Sequence, residues 1–156
     1  MELKEIRKNG MITQSDAAKL LNIPLRTYVR YENEKHYIGT FKYEILKKIL
    51  LDHLKVDEEN GILTIEQIKN SIIPILKQYE VEYCYLFGSY AKHKATETSD
   101  VDLLVNTKTT GLKFYGLVEE LRNALHKSVD LIRVVDLKNN IELLNEILKD
   151  GIKLHG

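Results

Sequence analysis

Residues 86–105, LFGSYAKHKATETSDVDLLV, decide the fold. They read as a strand, a tight Gly-Ser turn, a short helix, a loop and a second strand. Just upstream, residues 81–87 are rich in β-branched, aromatic and apolar side chains, the composition of a buried strand. Gly88 ends that run. Lacking a Cβ, it turns the chain sharply and admits a ligand close to the backbone. Ser89 is placed to cap a helix predicted over residues 90–95. A helix start behind a glycine offers free N–H groups and partial positive charge, which suits a phosphate.

The second strand begins Ser99-Asp100-Val101-Asp102-Leu103-Leu104-Val105. Side chains at i and i+2 share a strand face, so Asp100 and Asp102 point the same way, about 6–7 Å apart at Cα. Val101, Leu103 and Val105 point the other way. Two adjacent carboxylates repel and are costly to bury without a cation. The pair at the head of an apolar strand predicts a hard-cation site, with Mg²⁺ the default because it takes a few carboxylates plus water and phosphate oxygens.

Gly88-Ser89 followed by Ser99-Asp100-x-Asp102-Leu103-x-Val105 resembles the signature of the DNA polymerase β-type nucleotidyltransferases. The brevity of the domain resembles the minimal nucleotidyltransferase (MNT) branch, many members of which are antitoxins paired with HEPN-domain toxins. The resemblance implies a small α/β (α+β) fold: a mixed sheet with flanking helices. It implies that Gly88 and Ser89 hold the β- and γ-phosphates of a nucleoside triphosphate. Asp100 and Asp102 would bind Mg²⁺, with a third carboxylate from a later strand. Asp130, near the start of the apolar run Ser128-Val129-Asp130-Leu131-Ile132-Arg133-Val134-Val135, supplies one; by itself it would read as a turn-capping residue. Where the family has Arg-Gly, this chain has Lys92-His93. Lys92 keeps the charge but not the planar fork. Lys92 and Lys94 read equally as a solvated face or as phosphate contacts, and His93 reads as a surface residue.

The charge is balanced, with 23 Lys and Arg against 23 Asp and Glu. Such a surface carries no general attraction for polyanions, so any DNA contact needs a local patch. No apolar run approaches the ~20 residues that span a bilayer. The start, MELKEIRKNG, lacks the apolar core of a signal peptide, so a cytoplasmic location without membrane attachment is expected. Cys84 is the only cysteine, which excludes an internal disulfide, and in a buried strand it reads as a small core hydrophobe.

The first third reads as short helices over residues 2–9, 14–21, 25–33 and 41–54. Thr13 and Thr40 stand at N-cap positions, and Pro24 stands where a helix opens. Ala17, Ala18, Leu20 and Leu21 should face inward from the second helix, and Leu25, Tyr28, Val29 and Tyr31 from the third. The fourth should bury Phe41, Ile45, Leu46, Ile49 and Leu50. A helix bearing Arg26, Thr27 and Arg30 after a tight turn describes a helix-turn-helix. Thr13-Gln14-Ser15-Asp16-Ala17-Ala18-Lys19-Leu20 and Thr27-Tyr28-Val29-Arg30-Tyr31-Glu32-Asn33 resemble the xenobiotic-response-element type of DNA-binding domain. That resemblance implies that the third helix enters the major groove, with Leu25, Arg26, Thr27 and Arg30 as groove residues and Gln14 at the backbone. Glu32, Glu34 and Asp16 would dilute the basic patch. One such domain binds weakly, so a homo-oligomer or a hetero-oligomer with a partner is expected.

The acidic stretch at residues 56–61 reads as a linker between a helix-turn-helix domain (1–55) and a nucleotidyltransferase domain (62–156). In the latter, a helix over 65–79 contains Pro74. It either kinks there or restarts at Ser71. Helices over 112–126 and 139–149, a strand over 129–135 and an edge strand at 152–154 complete the pattern. The resemblance implies AMP transfer from ATP to a hydroxyl, a tyrosine of a HEPN toxin, with promoter binding as autoregulation. Alternatives are an MNT domain that binds the toxin stoichiometrically without catalysis, a nucleotide-sensing regulator, and a small-molecule nucleotidyltransferase, which normally carries a further substrate domain.

Overall fold

The structure, a computed structural model, describes residues 1–156. The chain divides into two compact units, Met1–Lys55 and Val56–Gly156.

The first unit contains α1 (Leu3–Asn9), α2 (Gln14–Leu20), α3 (Leu25–Asn33), a 3₁₀ turn (Lys35–Tyr37) and α4 (Phe41–His53). Thr13 caps α2 through a reciprocal box with Asp16, and the Thr40 hydroxyl accepts from the Tyr43 N–H. The core gathers Leu3, Ile6, Ala17, Ala18, Leu21, Tyr28, Tyr43, Leu46 and Leu50. The inward stripe of α4 is therefore Tyr43, Leu46 and Leu50, whereas Phe41, Ile45 and Ile49 are exposed, Phe41 by 83 %. A polar contact sets that rotation. The Tyr43 hydroxyl accepts from the Leu3 N–H at 3.0 Å, a first-turn donor with no partner in its own helix. Leu20 and Leu25, expected inside, are also exposed.

The second unit contains α5 (Ile65–Gln78), β1 (Tyr83–Phe87), α6 (Gly88–Ala91), β2 (Val101–Asn106), α7 (Gly111–Leu125), β3 (Val129–Arg133), a 3₁₀ turn (Val134–Leu137), α8 (Ile141–Asp150) and β4 (Ile152–His155). α5 runs through Pro74 as one helix. Ile72 and Leu76 on either side are fully buried, and their burial offsets the proline's cost of about 3 kcal/mol. The sheet order is β3-β2-β1-β4. β1 is antiparallel to β2 and β4, and β2 runs parallel to β3.

Period-2 alternation divides the sheet faces. Val101, Leu103 and Val105 are fully buried against a core that includes Ile68, Ile72 and Leu76 of α5 and Leu117, Leu121 and Leu125 of α7. On the opposite face Leu104 and Phe87 pack with Leu137 of the 3₁₀ turn and Ile147 of α8. Of the apolar residues of α8, only Ile147 is buried; Leu143 is half-buried, and Ile141, Leu144 and Leu148 are exposed. Cys84 is wholly enclosed in β1, and burial pushes its thiol up to about 12. The acidic stretch at residues 56–61 belongs to the second unit, where Arg122 of α7 pairs with Glu58 at 3.1 Å.

Candidate functional site

Asp100, Asp102 and Asp130 lie at the head of the parallel strand pair, near enough for the first and third to raise the Asp102 carboxyl. Their side chains as placed form no ready-made metal-holding group. Asp102 on β2 lies in register with Asp130 on β3, so the two sit side by side on one sheet face. Asp100 precedes them by one pleat, just outside β2. None of the three has a hydrogen-bond donor or a cationic partner among the protein's side chains.

The Gly-Ser turn closes on the same point. Gly88 has a φ of +71°, and a Cβ built there would stand 2.1 Å from the Asp102 Oδ2. Glycine is required twice over, once by the left-handed backbone and once by the carboxylate against it. The helix begins two residues earlier than expected. α6 starts at Gly88, its N-cap is Phe87, and Ser89 lies within the first turn rather than capping it. α6 also ends at Ala91 instead of Ala95. His93 then takes φ +56°, the conformation that the glycine of an Arg-Gly pair would accept without strain. Its N–H and that of Lys94 return to the Tyr90 and Ser89 carbonyls. The exit from the turn is thus built without the glycine, and His93 carries the strain.

Burial raises the Asp102 carboxyl to about 6, and repulsion from Asp130, Asp100 and Glu146 adds to it. Glu146, on α8, was not legible as a site residue: no local spacing marks it, and only the packing of α8 over β2 brings it there. It pairs with Lys92 at 2.7 Å, both about one-third exposed. That bond is the main cause that raises the Lys92 ammonium above its ordinary value. Lys92 is therefore held at the edge of the acidic cluster. A cluster of unneutralised carboxylates with a close-approach backbone turn has the donor chemistry of a hard divalent cation and a phosphate.

In the first unit α2 and α3 form the two helices around the turn. Arg26 and Arg30 are exposed, Leu25 likewise, and Thr27 is half-buried. Arg30 donates to the Tyr37 hydroxyl at 2.7 Å, and its guanidinium sits over that ring. Glu32 does not dilute the surface charge as expected. Its side chain is 0 % exposed and takes two 2.8 Å bonds from Arg7. Gln14 donates to the same carboxylate at 3.1 Å, so Gln14 is fixed to the base of α3. Burial would raise the Glu32 carboxyl, but the bonds from Arg7 and Gln14 prevail and hold it below its ordinary value.

With this geometry established, the comparisons with known proteins converge on one class. Residues 70–156 match the family described as Polymerase beta, Nucleotidyltransferase, and the chain belongs to that family. Residues 3–50 match the helix-turn-helix family.

A protein of Methanocaldococcus jannaschii named for protein adenylyltransferase activity is 40 % identical over 92 residues, covering 58 % of this chain and 91 % of that one. The protein adenylyltransferase MntA of Thermococcus cleftensis is 36 % identical over 87 residues, covering 52 % and 88 %. A crystal structure of a toxin–antitoxin with AMP-PNP overlaps 56 % of this chain and 73 % of its own, at 28 % identity and a TM-score of 0.48. No helix is long and apolar enough to cross a membrane.

Proposed function

We propose that the chain transfers AMP from ATP to a hydroxyl of a partner protein, a tyrosine of a HEPN-type toxin, and that its helix-turn-helix unit binds promoter DNA. The observation that carries the catalytic reading is the in-register pair Asp102 and Asp130, with the Gly88 backbone pressed against Asp102. The names of the M. jannaschii and T. cleftensis relatives support protein as the acceptor class.

Asp100, Asp102 and Asp130 would hold Mg²⁺, which when bound offsets negative charge on the triphosphate and on the attacking and leaving oxygens. Gly88 leaves room for phosphate oxygens beside Asp102, and the first-turn N–H groups around Ser89 donate to them. Lys92 reaches the phosphates on leaving Glu146. Asp130, the most exposed of the strand pair, accepts the proton of the acceptor hydroxyl or orients it. The relatives that this chain matches are themselves short, so a macromolecular acceptor that docks on an open face suits the site better than an enclosed small molecule. On DNA, the exposed Arg26 and Arg30 with Leu25 and Thr27 face the groove, and Gln14, steadied by Glu32, meets the backbone.

ATP labelled at the α-phosphate, Mg²⁺ and a cell extract containing the partner toxin test the enzyme reading. A protein band labelled by the wild type, and absent with Asp100→Asn plus Asp102→Asn, is the expected outcome. Equal neutralisation of the toxin by that folded double variant would overturn catalysis in favour of stoichiometric binding.

A further inference from the structure

The acidic stretch, the loop before Asp100 and the turn before Asp130 meet at one side chain. Lys127 is 1 % exposed, and lysines are almost never fully buried unless paired. No carboxylate pairs with it. Its ammonium donates instead to two backbone carbonyls, that of Asn60 at 3.2 Å and, in a short contact, that of Glu97. Withdrawing an ammonium from water is costly, so these two bonds hold firmly wherever the fold forms.

The acceptors lie at telling places. Glu97 belongs to residues 96–99, a turn closed by Ser99 N–H to the Thr96 carbonyl and Thr96 N–H to the Ser99 hydroxyl. The next residue is Asp100. The Glu97 side chain also accepts from the Gly61 N–H at 3.3 Å, which ties the acidic stretch to the same turn. Lys127 itself follows the left-handed His126 that ends α7. It precedes Ser128, whose carbonyl accepts from the Val101 N–H at 2.9 Å, and then Asp130. One side chain thus grips the backbone entering β2, while its own backbone enters β3.

We propose that Lys127 is a positioning residue for the acidic cluster: its buried ammonium locks the loop that delivers Asp100 to the strand that delivers Asp130, and so sets the cluster's affinity for a divalent cation. The inference rests on reading that cluster as a cation site. The effect is geometric, since the charges that act on Asp102 are those of Asp130, Asp100 and Glu146.

The test measures Mn²⁺ binding by calorimetry on the full chain as wild type, Lys127→Met and Leu121→Ala. Leu121 is a fully buried core residue, so its variant reports the effect of lost stability alone. Lys127→Met is expected to weaken Mn²⁺ binding roughly ten- to hundredfold, the range for residues that orient metal ligands, while Leu121→Ala keeps wild-type affinity. Equal affinity in Lys127→Met and wild type overturns the proposal, as does an equal loss in Leu121→Ala. If Lys127→Met does not fold, hydrogen exchange on the wild type decides. Mg²⁺ that slows exchange across residues 96–99 and at Gly61 supports the coupling, and no change there overturns it. A wild type that binds no Mn²⁺ overturns the cation-site reading and the inference with it.

Discussion

Asp102→Asn should stabilise the protein in the absence of divalent cations. The Asp102 carboxyl is raised from 3.8 to about 6 by burial and by Asp130, Asp100 and Glu146. A group raised in the folded state stabilises fully below its unfolded value, and that contribution is lost as pH climbs through the folded value. The loss therefore falls between about pH 4 and pH 7. Two pKa units correspond to about 3 kcal/mol. The carboxylate still meets solvent, which screens it, so roughly 1–2 kcal/mol is expected. For a unit of about 100 residues this corresponds to roughly 5–10 °C in Tm. The assay is a thermal melt of both proteins in chelator at pH 8 and at pH 4, followed by the transition of the second unit. The variant should melt higher at pH 8, the two should coincide at pH 4, and Mg²⁺ should raise the wild type alone. A variant that melts lower or equally at pH 8, or a gap that persists at pH 4, refutes the electrostatic account.

Other substitutions probe the remaining features. Gly88→Ala places a methyl on the Asp102 carboxylate at a φ of +71°; a cost of about 2 kcal/mol or more and loss of ATP-analogue binding by calorimetry are expected. His93→Gly relieves the positive φ and should raise stability by roughly 1 kcal/mol in urea unfolding with labelling activity retained. Glu32→Ala leaves Arg7 without its partner in the first unit, and a loss of about 3–5 kcal/mol should abolish that unit's melting transition. Arg26→Ala should weaken promoter binding and make its salt dependence shallower by about one unit of slope, read from fluorescence anisotropy against salt.

The elements that carry the acidic cluster were legible because their signals are local. Asp100 and Asp102 stand two apart on an apolar strand, and Gly88 punctuates the strand before it. The partnership of Asp102 with Asp130 was legible only through family resemblance, because the register of β2 on β3 joins residues far apart in sequence. What escaped was tertiary. The apolar residues of α4 and α8 outnumber the positions the core can take, so hydropathy alone cannot choose the face. The Tyr43 hydroxyl on the Leu3 N–H makes that choice in α4, and packing on Phe87 and Leu104 makes it in α8. Glu146, Lys127 and the Arg7–Glu32 pair are charged residues on unremarkable surroundings. Each acquires its role from a neighbour that the sequence places elsewhere. Ser89 misled because a serine before a helical stretch is the ordinary capping signal, while Gly88 can itself occupy the first helical position.

The enclosure of Cys84 has a practical consequence. A thiol shielded by the sheet and pushed up to about 12 has almost no thiolate at neutral pH. The native chain is therefore expected to give no signal with maleimide reagents, which a labelling reaction on the wild type checks. A cysteine introduced at an exposed position of α3 and another on α8 would accept a pair of fluorophores without background, and energy transfer between them would report the distance between the two units as nucleotide, DNA or partner is added.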